Sequence, residues 1–416
     1  MSNIYQTTTK VLGKAHAYTE ANMAFVNSVR NAKYEKEFAV PGDKIGAVLH
    51  VPIENQIQPF YSNEFVETPI AETDDTITIN NWIGAGVKNM DLDLVLSVNS
   101  PDSQFIKPCG VRVAEELEAT YIQQALYDCA FQVGTDGTFS TSPNALTPFT
   151  QAREMLHNMK MESGGHHLLI TTGITNTVIG ANVTQYNPQK TISDEFTKGR
   201  LGQMAGFETP FESVLVRTLP TGTRTINSFP ITAYTSTSIT ISGGASQAGN
   251  TIALGENFYI NGCYMMTNNV QQGVNFWGCV AGASASAGAT NTALVFDASG
   301  NLVVPINTYI NVTGASQTIS ATPVGQNAVF QGSASSNYKF GLAYHPLAFS
   351  FVSVKQMRPA GAGMVDFMNK KGINMRFWAD SNIQNSSSII RIDTMSGMGF
   401  HKAYRYVPGI RVATAS

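Results

Sequence analysis

The chain has 416 residues, 43% of them hydrophobic and 13% charged. That length is more than one compact core organises, so two or more domains are expected, and the apolar content excludes a mainly disordered protein. A formal net charge of −3 leaves no electrostatic footprint for nucleic-acid recognition, and no run approaches the ~18–20 apolar residues of a membrane span.

In chain order, residues 1–17 are polar and aperiodic and read as an extended arm. Met1 to Lys14 has no apolar core of a signal peptide, so synthesis in the cytoplasm is expected. A helix is predicted after Thr19 as N-cap, with Glu20 in its first turn and Met23, Phe25, Val26 and Val29 toward a partner surface. Residues 45–98 read as strand, long loop, strand, carried by Ile45–Ile53, Thr76–Ile79 and Met90–Leu96. The stretch Glu54–Asp75 offers few core candidates, and a two-stranded projection is marginal alone in water, so it needs a neighbour to lie on.

The clearest helix is predicted over 109–132, after Pro108 and before Gly134, with Ala114, Leu117, Tyr121, Ala125 and Cys129 on one face. About 24 residues make a rod of roughly 36 Å. A second helix starts at Thr147-Pro148 and runs to about Asn158, and a strand follows at Leu168–Thr171. A polar stretch then leads to the glycine-rich run Gly199–Phe207 and to Val214-Leu215-Val216. Near the end, Asn374–Trp378 and Ser388–Asp393 read as two strands joined by a turn at Asp380-Ser381-Asn382.

Between Thr225 and Tyr338 the only charged residues are Glu256 and Asp297. That block is solvated by Ser, Thr, Asn and Gln and carries apolar pairs at period two, such as Ile239/Ile241 and Phe258/Ile260, which predicts a compact all-β unit inserted at about 222–338. Its lack of charge implies hydroxyl and amide contacts rather than salt bridges. The low charge of the whole chain, about half the usual ~25%, suits a surface packed against copies of itself, or a secreted adhesin.

Four segments carry a family resemblance. The first is Tyr34-x-x-Glu37-Phe38 with Gly42-Asp43-Lys44-Ile45, leading into Val51-Pro52. The second is Gly199-Arg200-Leu201-Gly202 through Gly206-Phe207. The third runs Leu254–Tyr264, Ala321–Val324 and Leu342–Phe349, with His345 inside it. The fourth is Arg391-Ile392-Asp393-x-x-x-Gly397. In this order the chain resembles the major capsid (coat) proteins of tailed bacteriophages, in the podovirus-type subgroup with an inserted β-domain. The resemblance implies an α+β chain with the fold of tailed-phage and herpesvirus shells. It implies an N-arm (1–39), an extended loop (40–98), a peripheral domain with a long spine helix (99–144) and an axial domain (145–221 and 339–385). It also implies an inserted β-barrel-like domain (222–338) and terminal peripheral-domain strands (386–416).

The same resemblance implies self-assembly of hexamers and pentamers into an icosahedral shell around double-stranded DNA. It implies assembly in the host cytoplasm on a separate scaffolding protein, followed by expansion into the virion. A portal protein is a further partner, a decoration protein is another candidate, and packaged DNA is touched non-specifically. Phe60, Tyr61, Phe65, Lys88, Asp91 and Asp93 are the candidate intersubunit contacts. Lys44 and Lys88 are the only lysines of the loop region and sit in no recognisable cross-linking motif. An encapsulin-like compartment and a β-rich receptor-binding adhesin are the alternatives.

No enzyme, metal or cofactor is expected. His166-His167 point to opposite faces of a strand, which disfavours shared metal ligation. Ser284 and Ser286 lie in an Ala/Gly/Ser run rather than a nucleophile elbow, and Gly199-x-x-Gly202-x-x-x-Gly206 is neither a dinucleotide fingerprint nor a P-loop. Asp91 and Asp93 read as a solvated or intersubunit strand face, and Lys370-Lys371 near Arg376 is the one basic cluster. Cys109, Cys129, Cys263 and Cys279 lack CxxC or zinc spacing, so buried free thiols are expected.

Overall fold

The structure is a computed structural model that describes residues 4–29, 48–52, 63, 74–90, 106–139, 145–158, 165–185, 205–208, 210–267, 270–285, 290–314, 317–358, 364–382, 387–400 and 409–413. Its first elements are helices α1 (Ile4–Ala21) and α2 (Phe25–Ser28), strands β1 (Val48–Pro52), β2 (Asp74–Thr78) and β3 (Asn81–Met90), and helix α3 (Lys107–Asp128). Strand β4 (Phe131–Val133), α4 (Thr147–Asn158), β5 (His167–Ile170) and α5 (Thr172–Gln185) follow. A run of strands comes next: β6 (Phe211–Glu212), β7 (Leu219–Pro220), β8 (Ser228–Tyr234), β9 (Ser238–Ser242), β10 (Thr251–Ile252), β11 (Asn257–Thr267), β12 (Val270–Cys279), β13 (Leu294–Val295), β14 (Asn301–Pro305), β15 (Asn327–Phe330) and β16 (Asn337–Tyr338). The last are β17 (Phe340–Tyr344), β18 (Phe349–Val354), β19 (Met364–Lys370), β20 (Ile373–Asn382), β21 (Ser387–Phe400) and β22 (Gly409–Ala413). Helices and largely antiparallel sheets make the class α+β, as expected.

The chain divides into two compact units. The first joins Met1–Val51, Asp75–Tyr121 and Phe349–Gly399; the second joins Pro52–Asp74, Ile122–Ala348 and Phe400–Ser416.

In the first unit β19, β20 and β21 form an antiparallel sheet, β3 pairs along β21 over ten residues, and β18 adjoins β21. Met375, Phe377 and Ile392 bury one face of this sheet, and on that face the Tyr121 hydroxyl donates to Ser396 Oγ at 2.6 Å. Helix α1 packs on β19 and β20. Residues 4–21 are therefore helical where the sequence predicted an extended arm, and Thr19 lies inside the helix rather than at its cap. The buried stripe is Leu12, Ala15, His16 and Thr19, a helical spacing hidden because two of the four are polar. Each finds a backbone partner on the spot: His16 Nε2 lies 3.3 Å from Ile373 O, and Thr19 Oγ1 donates to Ala15 O (2.9 Å) and Gly110 O (3.1 Å). Met23, Phe25, Val26 and Val29 are buried within the chain. The buried Glu118 carboxylate accepts the N–H groups of Ala24, Phe25 and Val26 at 3.1, 2.6 and 3.1 Å, capping α2 from another helix.

The second unit holds a sheet ordered β4–β22–β17–β5–β6 and a six-stranded antiparallel sheet ordered β12–β11–β15–β8–β9–β14. In the latter the period-two residues Phe229, Ile231, Ile239, Ile241, Phe258 and Ile260 are all buried. Strands β7 and β16 pair where the chain enters and leaves the charge-poor stretch (Leu219↔Tyr338, Pro220↔Asn337).

Helix α3 ends at Asp128, not at 132, and Pro108 sits in its first turn, where a missing N–H costs nothing. Phe131–Val133 forms a strand instead, paired in parallel with Ile410–Val412, a partner no local pattern reveals. The last carbonyls of α3 are covered from two distant segments. Arg411 donates to Leu126 O at 2.9 and 2.6 Å, and Asn307 Nδ2 donates to Tyr127 O at 3.0 Å and Asp128 O at 3.3 Å.

Two further expectations are corrected. Helix α5 occupies part of the supposed polar stretch, because Ile174 and Val178, one turn apart, bury a Gly/Thr/Asn-rich helix of poor intrinsic propensity. Asp380-Ser381-Asn382 is not a turn: the ladder continues through Asp380↔Ile389 to Asn382↔Ser387. All four cysteines are free and buried. Burial pushes the Cys129 thiol well up and Cys279 to about 11, so these are packing groups rather than nucleophiles.

Candidate functional site

The Arg391-x-Asp393-x-x-x-Gly397 motif lies on β21, where residues two apart share a face. Asp393 is fully buried. Arg376, opposite it on β20, grips it with two bonds (Nε–Oδ1 3.0 Å, Nη2–Oδ2 2.7 Å), the planar fork that suits guanidinium to carboxylate. Arg391 Nε lies 2.7 Å from Oδ2, and the indole N–H of Trp82 donates to the same oxygen at 3.2 Å. Both guanidinium carbons stand 5.4 Å from the Trp82 ring centroid. Gly84 pairs with Asp393, and a Cβ there would meet Asp393 Cβ at 2.8 Å. Gly397 lets β21 pass against the Thr78 carbonyl, which a Cβ would strike. The face presents Trp82, 53% exposed, Ile389, 44% exposed, and the Arg391 side chain, 42% exposed.

In the second unit the His345 motif, the Gly206-Phe207 motif and His166-His167 converge. The buried His166 ring lies 5.4 Å from His157, 5.6 Å from His345 and 6.2 Å from Phe207. Burial, then the neighbouring His345 and His157, push His166 down to about 4, so it is neutral near pH 7. His167 is also lowered by burial, with Glu208, 3.6 Å away, opposing. His345 Nδ1 accepts the Leu347 N–H at 3.3 Å, which fixes the turn after β17. Gly206 takes φ +81°, and a Cβ there would meet the Arg153 guanidinium.

The charge-poor block uses its two charges internally. Glu256 is buried, paired with Arg224 and accepting the N–H groups of Gly222 (2.6 Å) and Ala253 (2.7 Å). Asp297 Oδ1 accepts the N–H groups of Ser299 (2.9 Å) and Asn301 (2.7 Å), closing a turn. A cleft beside this pair is lined by Gln132, Asp136, Asn257, Tyr338 and Arg411. Burial raises the Asp136 and Glu256 carboxyls, opposed by a Gln132 amide at Asp136 and by Arg224 at Glu256. Raised carboxyls in a cleft are acid–base candidates; these face amides and guanidiniums, the chemistry of a structural lock.

Of the residues singled out in the sequence, Lys88, Gly206, Phe207, His345, Arg391, Asp393 and Gly397 are placed. Tyr34, Phe38, Gly42, Asp43, Lys44, Phe60, Tyr61, Phe65, Asp91, Asp93 and Gly202 lie outside the described residues. Sequence reasoning missed Trp82, Arg376 as the partner of Asp393, and Glu118; only the pairing of strands and helices far apart in the chain reveals them. Lys371 pairs with Glu20 rather than standing free in a basic cluster. Among the described residues no group of three or more His, Cys, Asp or Glu is arranged to hold a metal ion, and no helix is long and apolar enough to cross a membrane.

A chain from Mycobacterium phage Che8 superposes with a TM-score of 0.50 over 94% of this chain and 90% of that one, at 11% identity. The two chains share one fold. The fold class and the fold that the sequence resemblance implied agree with this match. A chain from the capsid structure of the cyanophage P-SCSP1u is similar at 12% identity and TM-score 0.46, covering 95% and 89% of the two chains. Another, from the asymmetric unit of the bacteriophage PhiM1 mature capsid, is similar at 10% identity and TM-score 0.43, covering 94% and 86%. No protein-family model matches the sequence, and no curated protein does.

Proposed function

We propose that the chain is the coat protein of a tailed phage, many copies of which tile a closed shell around packaged DNA. The observation that carries this reading is the near full-length fold match to a phage chain, 94% of one against 90% of the other. Three of the four ordered motifs support it, because residues in them have structural work: Arg391, Asp393 and Gly397 knit β21 to its neighbours, and Gly206, Phe207 and His345 pack one core. In this reading residues 1–39 are the N-arm, 40–98 the extended loop, 99–144 and 386–416 the peripheral domain, 145–221 and 339–385 the axial domain, and 222–338 the insertion. The protein works by assembly rather than catalysis, with a separate scaffolding protein and a portal as partners, in the host cytoplasm.

Negative-stain electron microscopy of the chain, expressed in bacteria with and without its scaffolding protein, tests this. Uniform closed particles with scaffold and irregular ones without it are expected. Monomers or slender trimers under both conditions would overturn the shell reading. A chain lacking residues 54–75 is expected to remain soluble and to form no particles; normal particles from it would refute the loop's role.

A further inference from the structure

The β11–β12 hairpin carries a break in its ladder. The register runs Phe258↔Gly278, Tyr259↔Trp277 and Ile260↔Phe276, then resumes at Tyr264↔Asn275. Three residues of β11, Asn261 to Cys263, therefore stand against no residue of β12, a bulge that lifts them out of the pairing. Both flanks are fixed. Ile260 is fully buried, the buried Cys263 has its Sγ 3.7 Å from the carbonyls of Ala321 and Thr322, and the Tyr264 N–H donates to Ser320 Oγ at 2.9 Å. Between them Asn261 and Gly262 are exposed. Gly262 takes φ +78°, and a Cβ there would meet Gln326 Oε1 at 2.9 Å, so the bulge requires a glycine at this position.

Asn261-Gly262 is the one Asn-Gly pair in the chain. A glycine has no side chain to keep its nitrogen away from the preceding asparagine side chain. The rotation at Asn261 that brings the two together is resisted in a paired strand and allowed in a bulge. We propose that Asn261 deamidates spontaneously in the folded chain. The reaction needs water alone. Gly262 N gives up its proton and bonds to Asn261 Cγ, the Cγ–Nδ2 bond breaks, and ammonia leaves as a five-membered imide closes. Water then opens the ring. Opening at the former side-chain carbonyl restores the main chain with aspartate at 261. Opening at the main-chain carbonyl leaves isoaspartate, with the chain running through Cγ. Either product is a third carboxylate in the stretch Thr225–Tyr338. Glu256 and Asp297 have their charges taken up by Arg224 and by backbone N–H groups, whereas the new charge stands exposed on β11. The site goes beyond the shell reading and does not rest on it.

The test follows the wild-type chain, kept folded in mildly alkaline buffer and sampled over time. Cleavage after Tyr259 and Tyr264 by chymotrypsin releases the peptide Ile260–Tyr264, whose single asparagine is Asn261. Its mass reports the exchange of the amide NH2 for OH at this residue alone, and a zero-time sample subtracts conversion during digestion. Asn327 and Asn337 are exposed strand asparagines followed by Ala328 and Tyr338, and their peptides serve as internal standards. Asn261 is expected to convert about tenfold faster than either, because only it combines a bulge with a following glycine. Aspartate and isoaspartate forms of the peptide are expected as two chromatographic peaks, the aspartate one matching the peptide from an Asn261→Asp chain.

Conversion at Asn261 no faster than at Asn327 or Asn337 would overturn the inference. The same chain unfolded in urea gives the rate free of structure, and the folded chain is expected to reach about a tenth of it or more. A slower folded rate would show that the bulge holds the pair rigid, and would overturn the inference as well. In Asn261→Gln the side chain is one methylene too long for the five-membered ring. That chain is expected to lose the first acidic band that wild type gains on isoelectric focusing. An equal band from the variant would assign the new charge to another residue and overturn the proposal. Matching thermal melts of wild type and both variants establish that they are folded.

Discussion

Asp393 shows how one buried charge is tolerated: two arginines and an indole N–H share its two oxygens, so its desolvation is offset by directed donors. His166 solves the same problem in the opposite way, by giving up its charge. Its folded pKa is about 4 against an ordinary 6.5, so the unfolded chain binds the proton first as pH falls. The stability that neutral His166 contributes is therefore present above about pH 6.5, is lost as pH falls toward 4, and levels off below that. The groups facing it, His157 and Arg153 from α4, His345 after β17 and His167 on β5, all oppose its protonation, and Glu208 lies against His167. Urea unfolding of wild type and His166→Gln at pH 7 and pH 4.5 should show wild type losing more stability than the variant. Parallel losses would refute the assignment.

Among the elements, those with an unbroken periodic signal were legible in the sequence. Helix α4 starts at Thr147, where Pro148 marked it, and the six-stranded sheet uses the period-two pairs of the charge-poor stretch. What escaped was held by partners remote in sequence. Helix α1 reads as polar because His16 and Thr19 fill its buried stripe, and β4 exists only because β22 pairs with it. Strand β3 looks like a loop because Gly84 and Gly86 interrupt it, yet those glycines allow its close approach to β21. The motif residues were found without their reasons: Arg391 and Asp393 were visible, while Arg376 and Trp82 required the register.

The Arg224–Glu256 pair belongs to the same element scale, tying the entry of the charge-poor stretch to the start of β11. Arg224 also donates to Gln331 O (2.7 Å) and Gly332 O (3.2 Å). Arg224→Met strands a buried carboxylate and should cost about 3–5 kcal/mol, read as a lower urea midpoint. An unchanged midpoint would show that Glu256 accepts protonation at little cost.

At the scale of the whole molecule, strand β22 stands between β4 and β17 in the interior of its sheet, although it follows every other described strand in the chain. Its Arg411 covers the end of α3, and Ile410 and Val412 are fully buried. A chain stopped after Pro408 should therefore express as aggregated material, checked by its partition between soluble and pelleted fractions. A soluble, cooperatively melting product would show that the sheet closes without it. The consequence is one of timing. During synthesis, at roughly 5–20 residues per second, the sheet has a gap between β4 and β17 until residue 413 has emerged. A nascent chain whose residues 409–413 have yet to emerge therefore lacks a finished second unit.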